Sequence, residues 1–165
     1  MPQDVLVAFK FEGMRLSEPL FARLEDCVLD LDIPHLWIRK NALTDRKTKS
    51  SIRAVPLYGA SLDAAKQLAK IAKRRRSEWL VPHYARENGN TSCSAIINKN
   101  LKQFGFRTHM FRHGFIDRLK ACNDIPTRVA ESITGHSSGK SDFHTYGTIG
   151  YTLEQKLEVI KRVAV

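Results

Sequence analysis

The sequence has few cysteines, no membrane-length apolar run and no internal repeat. Cys27, Cys93 and Cys122 are odd in number and scattered without a CxxC pair, which argues against a disulfide framework or a zinc ribbon. No apolar stretch approaches the roughly 20 residues that cross a bilayer, and no signal-peptide pattern is present. These absences exclude disulfide-rich secreted and membrane-spanning classes. They favour a cytoplasmic protein with one domain over residues 1–165.

Positive charge is in clear excess. The chain has 27 Lys and Arg against 17 Asp and Glu, a formal net charge of +10 and an isoelectric point near 9.8. Such an excess favours a polyanionic partner, because Lys and Arg gain affinity by displacing counterions condensed on phosphates. A soluble basic protein without a nucleic-acid partner is the alternative that charge alone leaves open.

Hydrophobic periodicity predicts a mainly helical α+β domain with a small antiparallel β-sheet. Residues 36–38 and 52–57 are β-prone, and the polar stretch 41–51 between them predicts a hairpin with a basic tip. Residues 5–11 indicate the end of a helix. Further helices are predicted over residues 20–28, 61–76, 94–104, 108–122, 126–134 and 153–163.

The helices predicted after residue 90 have recognisable ends and inward faces. Gly105 and Gly135 are expected to cap two of them, and Thr152 with Gln155 has the form of a capping box. The side chains expected to face inward are Ile97, Leu101, Phe104, Phe111, Phe115, Leu119 and Cys122. The last helix has Leu153, Leu157 and Ile160 on one side.

The helix predicted over residues 61–76 has a basic face. Its apolar stripe consists of Leu62, Ala65, Ala69 and Ala72. The opposite face has Lys66, Lys70 and Lys73 and continues into Arg74. Most charge runs are simply solvated, but on a chain of charge +10 this face is an equal candidate for DNA phosphate contacts.

His109 and Arg112 are three residues apart on a predicted helix, so their side chains share a face. A guanidinium binds two phosphate oxygens and an imidazole exchanges a proton near neutral pH, so the pair suits a phosphate. His113 also allows a zinc interpretation. The HExxH metalloprotease pattern fails because Met110 occupies the position of the glutamate, and spacing suggests no third ligand.

Four segments together resemble the tyrosine recombinases, or phage-type integrases. They are EGMRLSEP at residues 12–19, RKTKSSIRAVPL at 46–57, HMFRHGFIDRL at 109–119 and ITGHSSGKSDFHTYG at 133–147. Each segment alone is a weak signal, but the four stand in the family's order from Gly13 to Tyr146. The resemblance implies the catalytic-domain fold of the DNA breaking-rejoining enzymes, double-stranded DNA as substrate and no cofactor or metal.

The resemblance also implies a role for each matching residue. Arg15 and Arg112 would hold the non-bridging oxygens of the scissile phosphate, with His109 and His136 hydrogen-bonding to the same group. Lys47 would protonate the departing 5′ oxygen. Tyr146 would form a 3′-phosphotyrosyl bond that a 5′-hydroxyl then attacks. Glu18 matches an acidic position and is expected to support the site.

Two of these assignments have competitors. Lys49 lies two residues from Lys47 in the same hairpin tip, where it would contact DNA if Lys47 is the general acid. Tyr151 lies five residues after Tyr146, but its distance from His136 exceeds the family's usual gap. The sequence therefore favours Lys47 and Tyr146, and it assigns Tyr151 to packing of the last helix.

Family members normally carry a core-binding domain before the catalytic domain, and about a dozen residues precede the first segment here. The resemblance therefore implies a catalytic domain whose N-terminal domain is absent or removed. It also implies a DNA-bound tetramer, with a monomer in isolation, acting on nucleoid DNA of a bacterium, phage or mobile element. The helix at 153–163 packs either on a neighbouring subunit of this tetramer or on its own domain. A non-catalytic DNA-binding domain and a type IB topoisomerase-like enzyme are the competing functions.

Overall fold

The computed structural model describes residues 13–44, 52–136 and 150–164. Its sheet consists of β1 (Cys27–Val28), β2 (His35–Ile38) and β3 (Arg53–Pro56), in that order and with both pairings antiparallel. Leu36 pairs with Val55, which confirms the two predicted hairpin strands. The tip expected to carry Lys47 and Lys49 lies outside the described residues.

The single helix predicted over residues 20–28 is wrong. This part of the chain forms α1 (Ser17–Leu20), a 3₁₀ turn (Leu24–Asp26) and then β1. The backbone N–H of Leu24 donates to the carbonyl of Glu78 at 2.8 Å, and the carbonyl of Ala22 accepts from the N–H of Leu80 at 3.0 Å. These long-range bonds take backbone groups that a continuous helix would pair internally, so tertiary pairing overrides the local helical pattern.

The helix end predicted over residues 5–11 lies outside the described residues, and the other predicted helices are present. They are α2 (Ala60–Arg74), α3 (Gly89–Leu101) with a 3₁₀ turn (Lys102–Phe104), α4 (Thr108–Ala121), α5 (Thr127–Thr134) and α6 (Leu153–Val163). Gly105 and Gly135 end their helices in the left-handed conformation, with φ of +74° and +69°. The capping box is confirmed, since Thr152 and Gln155 each accept from the other's backbone N–H. No helix in the described ranges is long and apolar enough to cross a membrane.

Helix α2 has the two faces that its sequence predicts. Its buried residues include Ala65, Leu68, Ala69 and Ala72. The exposed residues on the other side include Lys66, Lys70, Lys73 and Arg74. The small alanines let this helix lie close to the core while its cations stay in solvent.

Two aromatic residues that were predicted to face inward are exposed. Phe104 is 67% exposed because the chain tightens into the 3₁₀ turn Lys102–Phe104, which changes the direction of the side chain. Phe111 is 45% exposed and borders a cavity. The predictions for Phe115, Leu119 and Ile97 are confirmed, as all three are buried.

The side of helix α6 that is buried only partly coincides with the stripe of Leu153, Leu157 and Ile160 in its sequence. Leu153 and Leu157 are only half-buried. The residues that α6 buries are Lys156, Val159, Ile160 and Val163. This set has helical i, i+3, i+4, i+7 spacing but includes a lysine, which a search for apolar residues passes over. The Nζ of Lys156 donates to the carbonyl of Ala54 on β3 at 2.9 Å, so the buried amine is paired with the sheet.

Candidate active site

Asn98 of α3 fixes the start of α4, the helix that carries His109 and Arg112. Its Oδ1 accepts hydrogen bonds from the backbone N–H of Thr108 at 2.9 Å and from the Thr108 hydroxyl at 2.6 Å. The first N–H groups of a helix have no partners within the helix, so this side chain from α3 acts as a cap. His109 follows directly, and its backbone is thereby held against α3.

Arg112 is held by two backbone carbonyls from distant parts of the chain. Its Nη1 donates to the carbonyl of Gly13 and its Nη2 donates to the carbonyl of Thr134, the latter at 2.8 Å. Burial, followed by the nearby charge of Arg15, lowers the pKa of Arg112 to about 10. Arg112 therefore stays protonated at neutral pH, and its position is set by the backbone rather than by flexible side chains.

Gly13 allows the segment before Arg15 to lie against α4. Its φ is +68°, and a Cβ at this position would lie 2.6 Å from the Phe115 ring. Both the conformation and the close contact require glycine. Arg15 follows two residues later with its side chain 44% exposed and its Nη1 3.4 Å from Oε1 of Glu18. Its guanidinium is therefore anchored on one side and open to solvent on the other.

His136 follows the left-handed Gly135 that ends α5. Its Nε2 and Nδ1 lie 3.4 and 3.5 Å from Nη2 of Arg112. Partial burial, with the charges of Arg112 and Arg15, holds the pKa of His136 below its ordinary value. The ring is therefore mainly neutral at neutral pH, a state that can both accept and donate a hydrogen bond.

One cavity of about 650 Å³ connects these side chains. Its lining includes four of the residues singled out from the sequence: Arg15, His109, Arg112 and His136. They come from the segment before α1, from α4 and from the end of α5. Two guanidinium groups and two imidazoles around one space suit a phosphate, because they provide fixed positive charge and several N–H donors.

The other predicted functional residues either lie outside the described residues or do not line this cavity. Lys47, Lys49 and Tyr146 lie outside the described residues. The basic residues of α2 do not line the cavity. Lys73 borders a separate cleft, together with Arg23 and Glu78. The α2 face and the cavity are therefore two distinct basic features.

The zinc interpretation of His109 and His113 gains no further ligand from the fold. Their ring centroids are 6.4 Å apart on one side of α4. Within residues 13–44, 52–136 and 150–164, no group of three His, Cys, Asp or Glu side chains is arranged to hold a metal ion. The described geometry thus gives this pair no support as a zinc centre.

The sequence model of the Phage integrase family matches residues 6–148. The chain belongs to the phage integrase family. This match covers most of the chain and confirms the resemblance to the tyrosine recombinases that its four segments carry. The predicted fold class, mainly helical with a small antiparallel sheet, is confirmed as well.

One solved structure with the same fold is that of the Tn1549 transposon integrase in complex with transposon right end DNA. The sequences are 17% identical, the TM-score is 0.57, and the likeness covers 98% of the present chain. The chain spans 58% of the length of that integrase chain. At this identity the likeness shows the fold alone. No relative was found among curated proteins.

Two residues escaped the sequence analysis because their importance lies in buried, long-range contacts. Arg53 on β3 is 6% exposed, and Lys156 on α6 is 7% exposed. A signal for Arg53 did exist, since it shares the inward side of its strand with the buried Val55. No comparable signal exists for Lys156, whose partner is a backbone carbonyl 102 residues away.

Proposed function

We propose that this chain is the part of a tyrosine recombinase that cleaves and rejoins DNA strands. The observation that carries the proposal is the cavity in which Arg15, His109, Arg112 and His136 meet in a member of the phage integrase family. These residues come from three separate parts of the chain. The family match and the geometry thus support the same chemistry from independent directions.

In the proposed reaction the scissile phosphate occupies this cavity. Arg15 and Arg112 bind its non-bridging oxygens and stabilise the charge that builds up in the pentavalent transition state. The position of Arg112 supports this role, because its hydrogen bonds to Gly13 and Thr134 fix the guanidinium before DNA binds. His109 and His136 donate hydrogen bonds to the phosphate, and one of the two imidazoles accepts the single proton that the nucleophile loses.

The proposed nucleophile is Tyr146 and the proposed general acid is Lys47. The phenolic oxygen attacks phosphorus and the bond from phosphorus to the 5′ oxygen breaks. The ammonium of Lys47 protonates the leaving oxygen, which gives a 5′-hydroxyl and a 3′-phosphotyrosyl bond. A 5′-hydroxyl of another strand then attacks this bond and regenerates the tyrosine. Covalent storage of the phosphodiester makes ATP unnecessary, and in this proposal the fixed cations make a metal ion unnecessary.

A pool of nicked suicide duplexes with a randomised central sequence tests the proposal. The nick lets the short fragment with the 5′-hydroxyl diffuse away, so cleavage leaves the protein on the 3′ end of the 5′-labelled strand. We expect an SDS-resistant adduct to accumulate in EDTA. DNA binding without an adduct would indicate a non-catalytic DNA-binding domain, and an adduct that requires a divalent metal would contradict the mechanism. In a separate assay on supercoiled plasmid DNA, relaxation without strand exchange would indicate a topoisomerase-like enzyme.

We also propose that the exposed face of α2 contacts DNA phosphates. Replacing Lys66, Lys70 and Lys73 with glutamine should flatten the plot of log affinity against log salt by about 0.9 for each lost phosphate contact. The measurement is DNA affinity at several salt concentrations. The matched control replaces the exposed lysines Lys99, Lys102 and Lys161 instead. An equal change of slope in both variants would make α2 an ordinary solvated face.

We further propose that this chain acts as a tetramer on DNA and is monomeric without it, with α6 as the candidate contact to a neighbouring subunit. The half-buried Leu153 and Leu157 on α6 support such a contact, since their apolar surface is incompletely covered within the domain.

We also propose that the chain corresponds to one catalytic domain. The match to part of a longer integrase supports this division.

A further inference from the structure

Arg53 is a charged residue in a place where charged residues are rare. It lies on β3, is 6% exposed, and is followed by Ala54 and Val55, which are also buried. A buried guanidinium is tolerated when its donors are paired, because the loss of hydration is otherwise uncompensated. The partners of Arg53 therefore indicate what this charge does in the domain.

The carboxylate of Glu18 connects Arg53 to Arg15. Nη1 of Arg53 lies 3.2 Å from Oε1 of Glu18, and Nη2 lies 2.9 Å from Oε2. Burial alone would raise the pKa of Glu18, but the charge and hydrogen bonds of Arg53, with those of Arg15, hold it below its ordinary value. The same carboxylate accepts the backbone N–H of Arg15 at 2.8 Å. Arg53 thus keeps charged the group that fixes the backbone of Arg15.

Two backbone carbonyls at the end of α5 connect Arg53 to Arg112 and His136. Nε of Arg53 donates to the carbonyl of Ile133 at 2.8 Å, and Nη2 donates to the carbonyl of Thr134 at 3.2 Å. Both carbonyls lie in the last turn of α5, where backbone oxygens lack partners within the helix and a cation is favourable. The Thr134 oxygen is also the acceptor of Arg112. The two arginines therefore share one backbone oxygen.

Gly135 brings Arg53 close to the turn that presents His136. A Cβ on Gly135 would lie 2.5 Å from Nη1 of Arg53, and the glycine has a φ of +69°. The backbone of this turn is therefore in direct contact with the guanidinium of Arg53. Any displacement of Arg53 would be transmitted to the backbone one residue before the imidazole.

We propose that Arg53 is a positioning residue that holds Arg15, Arg112 and His136 in one geometry without touching the DNA. This inference deepens the proposed function and rests on it. Arg53 is buried and does not line the cavity in the described structure. It acts through Glu18 on one side and through the Ile133 and Thr134 carbonyls on the other.

The decisive variant is Glu18→Gln with Arg53→Met, which removes both buried charges at similar side-chain volume. No buried charge of this pair is left unpaired, and Arg15, which loses its carboxylate partner, stays solvated, so we expect the variant to fold with a melting temperature near that of the wild type. We expect cleavage of the best duplex from the randomised pool, at saturating DNA in a single turnover, to fall about 100-fold. DNA affinity should change little, since many phosphate contacts outside the cavity contribute to it.

The matched control is Arg23→Met with Glu78→Gln, which removes another ion pair, one with 2.6 Å between Nη1 and Oε2 and outside the cavity. It should cleave at the wild-type rate. If Glu18→Gln with Arg53→Met also cleaves at that rate, Arg53 only neutralises Glu18 and the inference is overturned. Arg53→Lys is the second variant, because it keeps the charge but has one ammonium that cannot reach both Glu18 and the carbonyls. Wild-type cleavage by Arg53→Lys would equally overturn the inference.

A failure of the proposed function would be seen separately, as the absence of an adduct with the wild-type chain. In that case the NMR signals of the His136 ring report whether Arg53 positions this ring, and the measurement does not depend on DNA cleavage. We expect these signals to shift or broaden in Glu18→Gln with Arg53→Met and to stay unchanged in the Arg23 and Glu78 control. Unchanged His136 signals in both variants would overturn the inference.

Discussion

Replacing Tyr146 with phenylalanine is expected to abolish the covalent adduct on suicide duplexes while DNA affinity stays nearly unchanged. Only the attacking oxygen is lost, and no other group in the proposed mechanism can form the phosphotyrosyl bond. A phenol with an ordinary pKa of about 10 is a weak nucleophile at neutral pH, so the reaction depends on the cations around the phosphate. The measurement is adduct yield on denaturing gels beside affinity by fluorescence anisotropy.

Tyr151→Phe is the matched control for this experiment. Tyr151 is partly buried against the hydrophobic core, which agrees with the packing role expected from the sequence. Its phenylalanine variant keeps the ring and should cleave normally. If Tyr151→Phe abolishes the adduct and Tyr146→Phe forms it, the nucleophile has been assigned to the wrong tyrosine.

Replacing Arg112 with lysine is expected to reduce the rate of cleavage by about 10²–10³-fold, although the positive charge is retained. The guanidinium donates from Nη1 to the carbonyl of Gly13 and from Nη2 to that of Thr134. A single ammonium cannot span both carbonyls and still present a donor to the phosphate. The loss should appear in the single-turnover rate at saturating DNA, because the variant misplaces the group rather than removing its charge.

Arg118→Lys tests whether any Arg-to-Lys change on α4 has this effect. Arg118 lies on the same helix, and its Nε donates to the carbonyl of Val163 at 2.7 Å, but it does not line the cavity. We expect it to lower stability modestly and to leave the rate of cleavage unchanged. If Arg112→Lys cleaves at a rate close to that of Arg118→Lys, the two hydrogen bonds of the Arg112 guanidinium are not needed for cleavage.

The features that follow from local sequence were predicted well. Helix α4 and the left-handed Gly135 that ends α5 depend on periodicity and on one glycine, and the antiparallel hairpin of β2 and β3 follows from two short β-prone runs. The presence of His109 and Arg112 on one helix face follows from their spacing. Their meeting with Arg15 in one cavity required the fold.

The features that depend on distant partners were missed. Arg53 and Ile133 are 80 residues apart, and nothing in the local pattern around either one indicates that the guanidinium meets that carbonyl. The false helix over residues 20–28 has the same cause, since Leu24 bonds to the backbone of Glu78. Phe111 was assigned to the core because periodicity identifies an apolar side chain but does not distinguish a core from the rim of a cavity.

The oxygens that hold Arg112 and Arg53 on the α5 side belong to the main chain. Every amino acid supplies such an oxygen, so substitutions of the side chains of Ile133 and Thr134 leave these acceptors in place. The turn itself is the vulnerable point, because a bulkier residue at Gly135 would displace the backbone. Over evolutionary time, the buried residues 133 and 134 should therefore exchange among side chains that fit the core without disturbing the cleavage centre, whereas Gly135 should stay glycine.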